Sequence, residues 1–186
     1  MTEVIKRDNT RESLNIEKLH KVVTFACEDI AGVSASEVEI HSQIQFFDGI
    51  KTEDVQETLI KSAADLISEE TPNYQWVAGR LINYHLRKMV YGQFDPWDLY
   101  TLVTKNVENG FYDKDILNSY TKAEFSKLNS YIKHQRDNTL TYAAMEQFRG
   151  KYLVQNRVTK QIFETPQMAY MLIAMTIFFL RSYRNR

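Results

Sequence analysis

The run Met168 to Leu180, MAYMLIAMTIFFL, constrains the fold of this chain more than any other stretch, because Thr176 is its one polar interruption. It falls short of the roughly 20 residues that a membrane span needs. The run therefore predicts a buried helix, opened by Pro166 at its start. A helix that is apolar nearly all round needs partners on several sides. The chain nevertheless stops soon after, at Arg186, and on this pattern reads as cut short.

The rest of the composition bounds the possibilities. With 186 residues, 44% hydrophobic and 12% aromatic, the chain can bury one ordinary core, or a small domain and part of a second. Its 23 Lys and Arg against 24 Asp and Glu give a net charge of -1. No global field attracts a polyanion, so neither nucleic acid nor a membrane is expected as a partner, and phosphate binding must be local. Cys27 is the single cysteine. That excludes an internal disulfide framework and a cysteine-based zinc ribbon, and fits a reducing cytoplasm. No apolar signal segment precedes the first structured residues, which argues against secretion. His20, His41, His85 and His134 lack metal-ligand spacing, and no Gly-rich phosphate loop or nucleophile motif is present. Neither a metal site nor a catalytic residue is expected.

Along the chain, VIKR and RESL flank Asp8-Asn9-Thr10 and predict a hairpin. Asn15 is placed to cap a helix whose apolar positions are Ile16, Leu19, Val22, Val23, Ala26 and Ile30, closed by Gly32. Ser34 and Glu37 have the spacing of a capping box for a second helix, with Val38, Ile40, Ile44 and Phe47 as its apolar face. Thr52, followed by Glu53-Asp54, predicts the N-cap of a third. Thr71-Pro72 predicts the start of a fourth, running to Gly92. Residues 1–92 thus form one unit, and a boundary is expected between Gly92 and Pro96. Residues 93–186 predict a helix from Trp97 to Glu108, a capping box at Thr121 and Glu124, strand-like alternation from Lys151 to Phe163, and the terminal helix.

Lys6-Arg7 places two cations beside the hairpin turn, and the start of the third helix offers unpaired N–H groups and the Thr52 hydroxyl. These are parts of a phosphate cradle, which Lys88, beside Arg87, could close. Glu12 and Asn15 suit a purine edge: a carboxylate accepts from the adenine amine and an amide donates to ring N1, whereas guanine would turn a carbonyl toward Glu12. Taken residue by residue, a plainer reading stands beside this one. Lys6 and Arg7 serve equally as edge charges that discourage strand pairing, Asn15 as a helix cap, and Lys88 as a favourable charge at a helix C-terminus.

The stretches VIKRDNTRESLNIEKLHKVV, IQFFDGIKTEDVQETLIKSAADLI and RLINYHLRKMVYGQF resemble the ATP-cone, the allosteric nucleotide-binding domain at the N-terminus of ribonucleotide reductase large subunits. YGQFDPWDLY and GKYLVQNRVTKQIFETPQMAYMLIA look like the helical region that precedes the catalytic barrel in class I, diphosphate-using large subunits. The resemblance implies a mainly helical α+β fold: an ATP-cone of a small sheet and a four-helix cluster over 1–92, then an incomplete helical segment over 93–186. It implies ATP or dATP, with Mg²⁺, as an allosteric ligand and no catalytic cofactor. By the same resemblance Lys6 and Arg7 are the basic strand pair, Glu12 and Asn15 the adenine contacts, Thr52 the phosphate-side threonine and Lys88 the late-helix lysine. Leu14, Lys18, Leu19 and Tyr84 match positions lining the pocket.

Three departures from the family pattern matter. Gln56 stands where many dATP-inhibited members carry a histidine, which implies weak or altered discrimination between ATP and dATP. The radical-bearing and redox cysteines of the family lie well downstream, so this chain alone is expected to be inactive. LRSYRNR also leaves the family pattern, and implies either a truncation or, as the favoured expectation, the first piece of a split subunit of the kind found in some phages. The expected partners are then the remaining catalytic portion and the radical-generating β subunit, in the cytoplasm, a host's if phage-encoded. The alternative is a stand-alone ATP-cone regulatory module without a reductase role.

Overall fold

The structure is a computed structural model that describes residues 2–6 and 8–184, with the side chains of the last helix described as far as Phe178. The fold is α+β and mainly helical. The chain divides into two compact units: one runs to His85 and takes in Asn138–Glu146, and the other comprises Leu86–Asp137 and the chain from Gln147.

In the first unit, β1 (Glu3–Ile5) lies between β2 (Arg11–Ser13) and β3 (Ile50–Lys51), antiparallel to β2 and parallel to β3. The hairpin turns where expected. Asn9 takes φ +63, tolerable for Asn, and the Asp8 carboxylate accepts from both the Thr10 amide and the Thr10 hydroxyl. β3, absent from the sequence expectation, is pinned by Asp48-Gly49: Asp48 accepts from the Glu3 N–H, and the Gly49 N–H donates to the Glu3 carbonyl.

Four helices come next: α1 (Ile16–Cys27), α2 (Ala35–Gln43), α3 (Thr52–Asp65) and α4 (Tyr74–Tyr91). Asn15 caps α1, accepting from the Lys18 N–H at 2.9 Å. Three expectations need correction. Ser34 precedes α2 but forms no capping box, because the Tyr74 hydroxyl accepts the Ser34 N–H and donates to the Glu37 carboxylate. Thr52 is the first helical residue and not the cap, since Lys51 is held extended by pairing with Ile5. Thr71-Pro72 leads into α4, but Pro72 is not its first helical residue: the Thr71 and Pro72 carbonyls accept from the Tyr74 and Gln75 N–H groups and α4 begins at Tyr74, while the Thr71 hydroxyl donates back to the Leu66 carbonyl. The apolar face expected for α2 is also displaced. Val38 and Ser42, one turn apart, form its buried stripe, while Ile40, Ile44 and Phe47 are exposed.

α4 carries Gly79, against which the Leu140 carbonyl packs so closely that a β-carbon there would lie 2.2 Å from it. Arg80 Nε donates to the Asn138 carbonyl at 3.4 Å, and Asn83 Nδ2 donates to Asn138 Oδ1 at 2.7 Å. These bonds attach Asn138–Glu146 to the first unit.

The second unit contains α5 (Leu99–Glu108), α6 (Asp115–Ser119), α7 (Lys122–Tyr131) and α9 (Pro166–Arg184); between the last two lie a 3-10 segment (His134–Thr139), α8 (Tyr142–Gln147) and a π turn (Phe148–Tyr152). Part of this stretch, Asn138–Glu146, belongs to the first unit. The capping box at Thr121 and Glu124 forms as expected. Leu99, Leu102, Val103, Phe125, Met168, Leu172 and Met175 share one core. Met168, Leu172 and Met175 recur at helical spacing and bury one side of α9; Tyr170, Ile173, Ile177 and Phe178 on other sides are exposed. The strand-like stretch from Lys151 to Phe163 shrinks to one antiparallel bridge, Gln155 with Ile162. A ladder is interrupted there because the buried Glu164 carboxylate takes the Val154 N–H at 2.9 Å and the Tyr112 hydroxyl at 2.5 Å.

Candidate functional site

Sheet register decides where the charged residues of the hairpin point. Val4 faces Glu12 across the antiparallel pair and Ile50 across the parallel one, and directly paired residues share a face. Val4 and Ile50 are buried, so this face covers the core of the unit. Lys6, two residues beyond Val4, lies on the same face, diagonal to Glu12. Its Nζ is 2.6 Å from Glu12 Oε2, with the two side chains 41% and 39% exposed. The hydrogen bond to Glu12 is the main cause that raises the Lys6 ammonium above the usual lysine range. Glu3 and Arg11 occupy the opposite face, 3.7 Å apart and more exposed.

The parallel register also fixes the start of α3. Val4 pairs with Ile50 and Ile5 with Lys51, so the next residue, Thr52, leaves the strand at the level of Lys6. The opening turn of α3, which carries Glu53 and Asp54, therefore begins level with Lys6 along the sheet, on the side of β1 opposite β2. Gln56 lies one helical turn beyond Thr52 and shares its face.

Asn15 has its Oδ1 engaged by the Lys18 N–H, which leaves the Nδ2 amide to donate elsewhere. The cap and the purine contact are thus compatible in one side chain. Lys18 is exposed, Leu14 half-buried, and Leu19 buried on the inner side of α1. Tyr84 is half-buried on α4, and burial pushes its phenol above the usual range. Lys88 lies one turn further along and is counted with the second unit. Arg7 lies outside the described residues. The structure thus brings Lys6 and Glu12 into contact and sets Thr52 level with them, and it joins Asn15 to Lys18 through the cap. Sequence reasoning missed β3, whose register carries that placement; Ile50 within DGIKT was its only trace.

Among the described residues, no group of three or more His, Cys, Asp or Glu could hold a metal ion. Cys27 is half-buried, and desolvation pushes its thiol up to about 11, so it is a thiol and not a thiolate near neutral pH.

The family model for the ATP cone domain matches residues 2–89, the stretch that holds all these side chains. Residues 2–89 belong to the ATP-cone family. The cone and the residues after it are similar to the N-terminal region of ribonucleoside-diphosphate reductase large subunits. The chain is 52% identical over 175 residues to ribonucleoside-diphosphate reductase 1 subunit alpha of Escherichia coli K12, and that alignment takes in 94% of this chain and 23% of the relative. Against subunit alpha of enterobacteria phage T4 the identity is 40% over 176 residues, and against that of Helicobacter pylori 37%, again across 94% of this chain. The chain thus spans about a quarter of the length of these relatives. No helix among the described residues is long and apolar enough to cross a membrane.

Proposed function

We propose that residues 1–92 bind an adenine nucleotide, ATP or dATP with its Mg²⁺, as an allosteric effector. The chain then serves as the N-terminal portion of a ribonucleoside-diphosphate reductase large subunit in the cytoplasm. The observation that carries the nucleotide reading is the register of β1, which sets a cation and a carboxylate together on the core-facing side of the sheet, level with the first residue of α3. Glu12 accepts from the adenine amine, Asn15 Nδ2 donates to ring N1, and Lys6 with the opening turn of α3 meets phosphate. Leu14, Leu19 and Tyr84 supply apolar surface for the base, while Lys18, Arg7 and Lys88 add positive charge. Gln56 can hydrogen-bond but never becomes a cation, so discrimination between ATP and dATP is weak or altered.

Reduction of diphosphates falls to the remaining catalytic portion of the large subunit, working with the radical-generating β subunit. The exposed apolar residues of α9 support a protein partner for the second unit. Ile173 and Ile177 line a groove of about 430 Å³ with Phe111, Tyr152, Val154 and Leu172. Calorimetry on the full chain tests the first part. Saturable ATP binding is expected, lost in Lys6→Ala and weakened in Glu12→Ala; no binding, or variants indistinguishable from wild type, refutes the site. Co-expression with a reductase catalytic portion tests the second. A complex disrupted by Ile173→Asp is expected, and failure to form one favours a stand-alone regulatory cone.

A further inference from the structure

The Lys6–Glu12 pair has a property that neither residue has alone. If the site holds an adenine nucleotide as proposed above, these two residues serve opposite ends of the ligand: the ammonium meets phosphate and the carboxylate meets the base. The structure sets them 2.6 Å apart, on the core-covering face of the sheet. A phosphate approaching Lys6 therefore meets a carboxylate almost as close as the cation it seeks. We propose that Glu12 acts twice, as acceptor for the adenine amine and as the charge that occupies Lys6, so that the base and phosphate halves of the ligand bind interdependently. Adenine draws the carboxylate toward its amine and frees the ammonium for phosphate. Guanine turns a carbonyl oxygen toward the same carboxylate, is repelled, and leaves the pair closed. Selection of the base thus becomes a condition for strong phosphate binding, and free polyphosphate is a poor ligand.

Glu12→Gln separates the two roles, because the amide keeps an oxygen acceptor for adenine but carries no charge. The probes are inorganic triphosphate, ATP and GTP, titrated calorimetrically into the full chain with Mg²⁺. Both partners are substantially solvated, so the effect is bounded by the worth of an exposed ion pair. Glu12→Gln is expected to bind triphosphate about two- to fivefold more tightly than wild type. Its preference for ATP over GTP is expected to narrow, because the amide can turn its N–H₂ to the guanine carbonyl. The gain in triphosphate affinity should shrink as salt is raised. Glu3→Gln removes the same charge from the opposite face, beside Arg11, and is expected to leave both quantities unchanged. Equal or weaker triphosphate binding by Glu12→Gln, with wild type still binding ATP, overturns the coupling and leaves the nucleotide site standing. An equal gain in Glu3→Gln overturns it too, as a general charge effect. Absence of ATP binding by wild type removes the site, and the coupling with it.

Discussion

Gly79→Ala is expected to destabilise the first unit, against the usual direction for a helix. In an exposed helix interior, replacing Gly by Ala stabilises by about 1 kcal/mol, because Gly loses more backbone freedom on folding. At Gly79 the new β-carbon would lie 2.2 Å from the Leu140 carbonyl oxygen and 3.0 Å from the Thr141 carbonyl carbon. Ordinary carbon-to-oxygen contacts begin near 3.3 Å, so α4 and Asn138–Glu146 must part by roughly 1 Å. The obstacle is backbone and cannot rotate away. Overpacking of this kind costs about 1–3 kcal/mol. The displacement also strains the 2.7 Å bond from Asn83 to Asn138, which is worth about 1 kcal/mol. Net of the helix gain, the expected loss is about 1–3 kcal/mol, a Tm lowered by roughly 2–12 °C for a chain of this size. Thermal unfolding followed by circular dichroism measures it. Hydrogen exchange should quicken in α4 before Leu86 and in Asn138–Glu146. An unchanged or raised Tm would refute the close approach.

Two further outcomes concern single side chains. Asn15→Asp keeps the cap of α1 and adds a favourable charge at its N-terminus, but removes the N–H₂ that the base would need. Tm is expected to hold or rise while ATP affinity falls about tenfold, the difference of roughly 1.4 kcal/mol that a lost hydrogen bond can cause; a parallel loss of both would make Asn15 structural only. Asp137 is buried, and desolvation, opposed by Arg87, raises its carboxyl to about 7. The unfolded chain holds that proton only below about 4, so the folded state binds more protons in between and loses stability as pH rises from about 4 to 7. Asp137→Asn should therefore gain stability over wild type across that window and keep a constant advantage above it, read from urea midpoints. His134, lowered to about 4 by burial, is common to both proteins and cancels to first order.

Local signals in the sequence fared well where local chemistry decides. Asn15 caps α1, Thr121 and Glu124 close a capping box, Asp8-Asn9-Thr10 turns the hairpin, and Pro166 opens the apolar helix. The expectations that failed did so through partners distant in sequence. Ser34 and Glu37 have box spacing, yet Tyr74 supplies a hydroxyl that satisfies both. Glu164 interrupts a strand pattern from the side. β3 is too short to show alternation, and its existence depends on Asp48 and Gly49 meeting Glu3. The identity of the charged residues in the candidate site could be read directly. Their common face could not, because it results from pairing Val4 with both Glu12 and Ile50.

The attachment of Asn138–Glu146 to the first unit bears on how such a domain can be inherited. A recombination junction anywhere between Gly92 and Asp137 keeps every residue of the family match but discards the backbone that lies on Gly79 and the partner of Asn83. The exchanged piece would leave the Asn83 amide without its protein partner and a helix flank wet. In this chain the unit of exchange is longer than the unit of recognition. A shuffled descendant that kept only the shorter piece would be under selection to fill the bared flank, first of all at position 79, where a larger residue then becomes admissible.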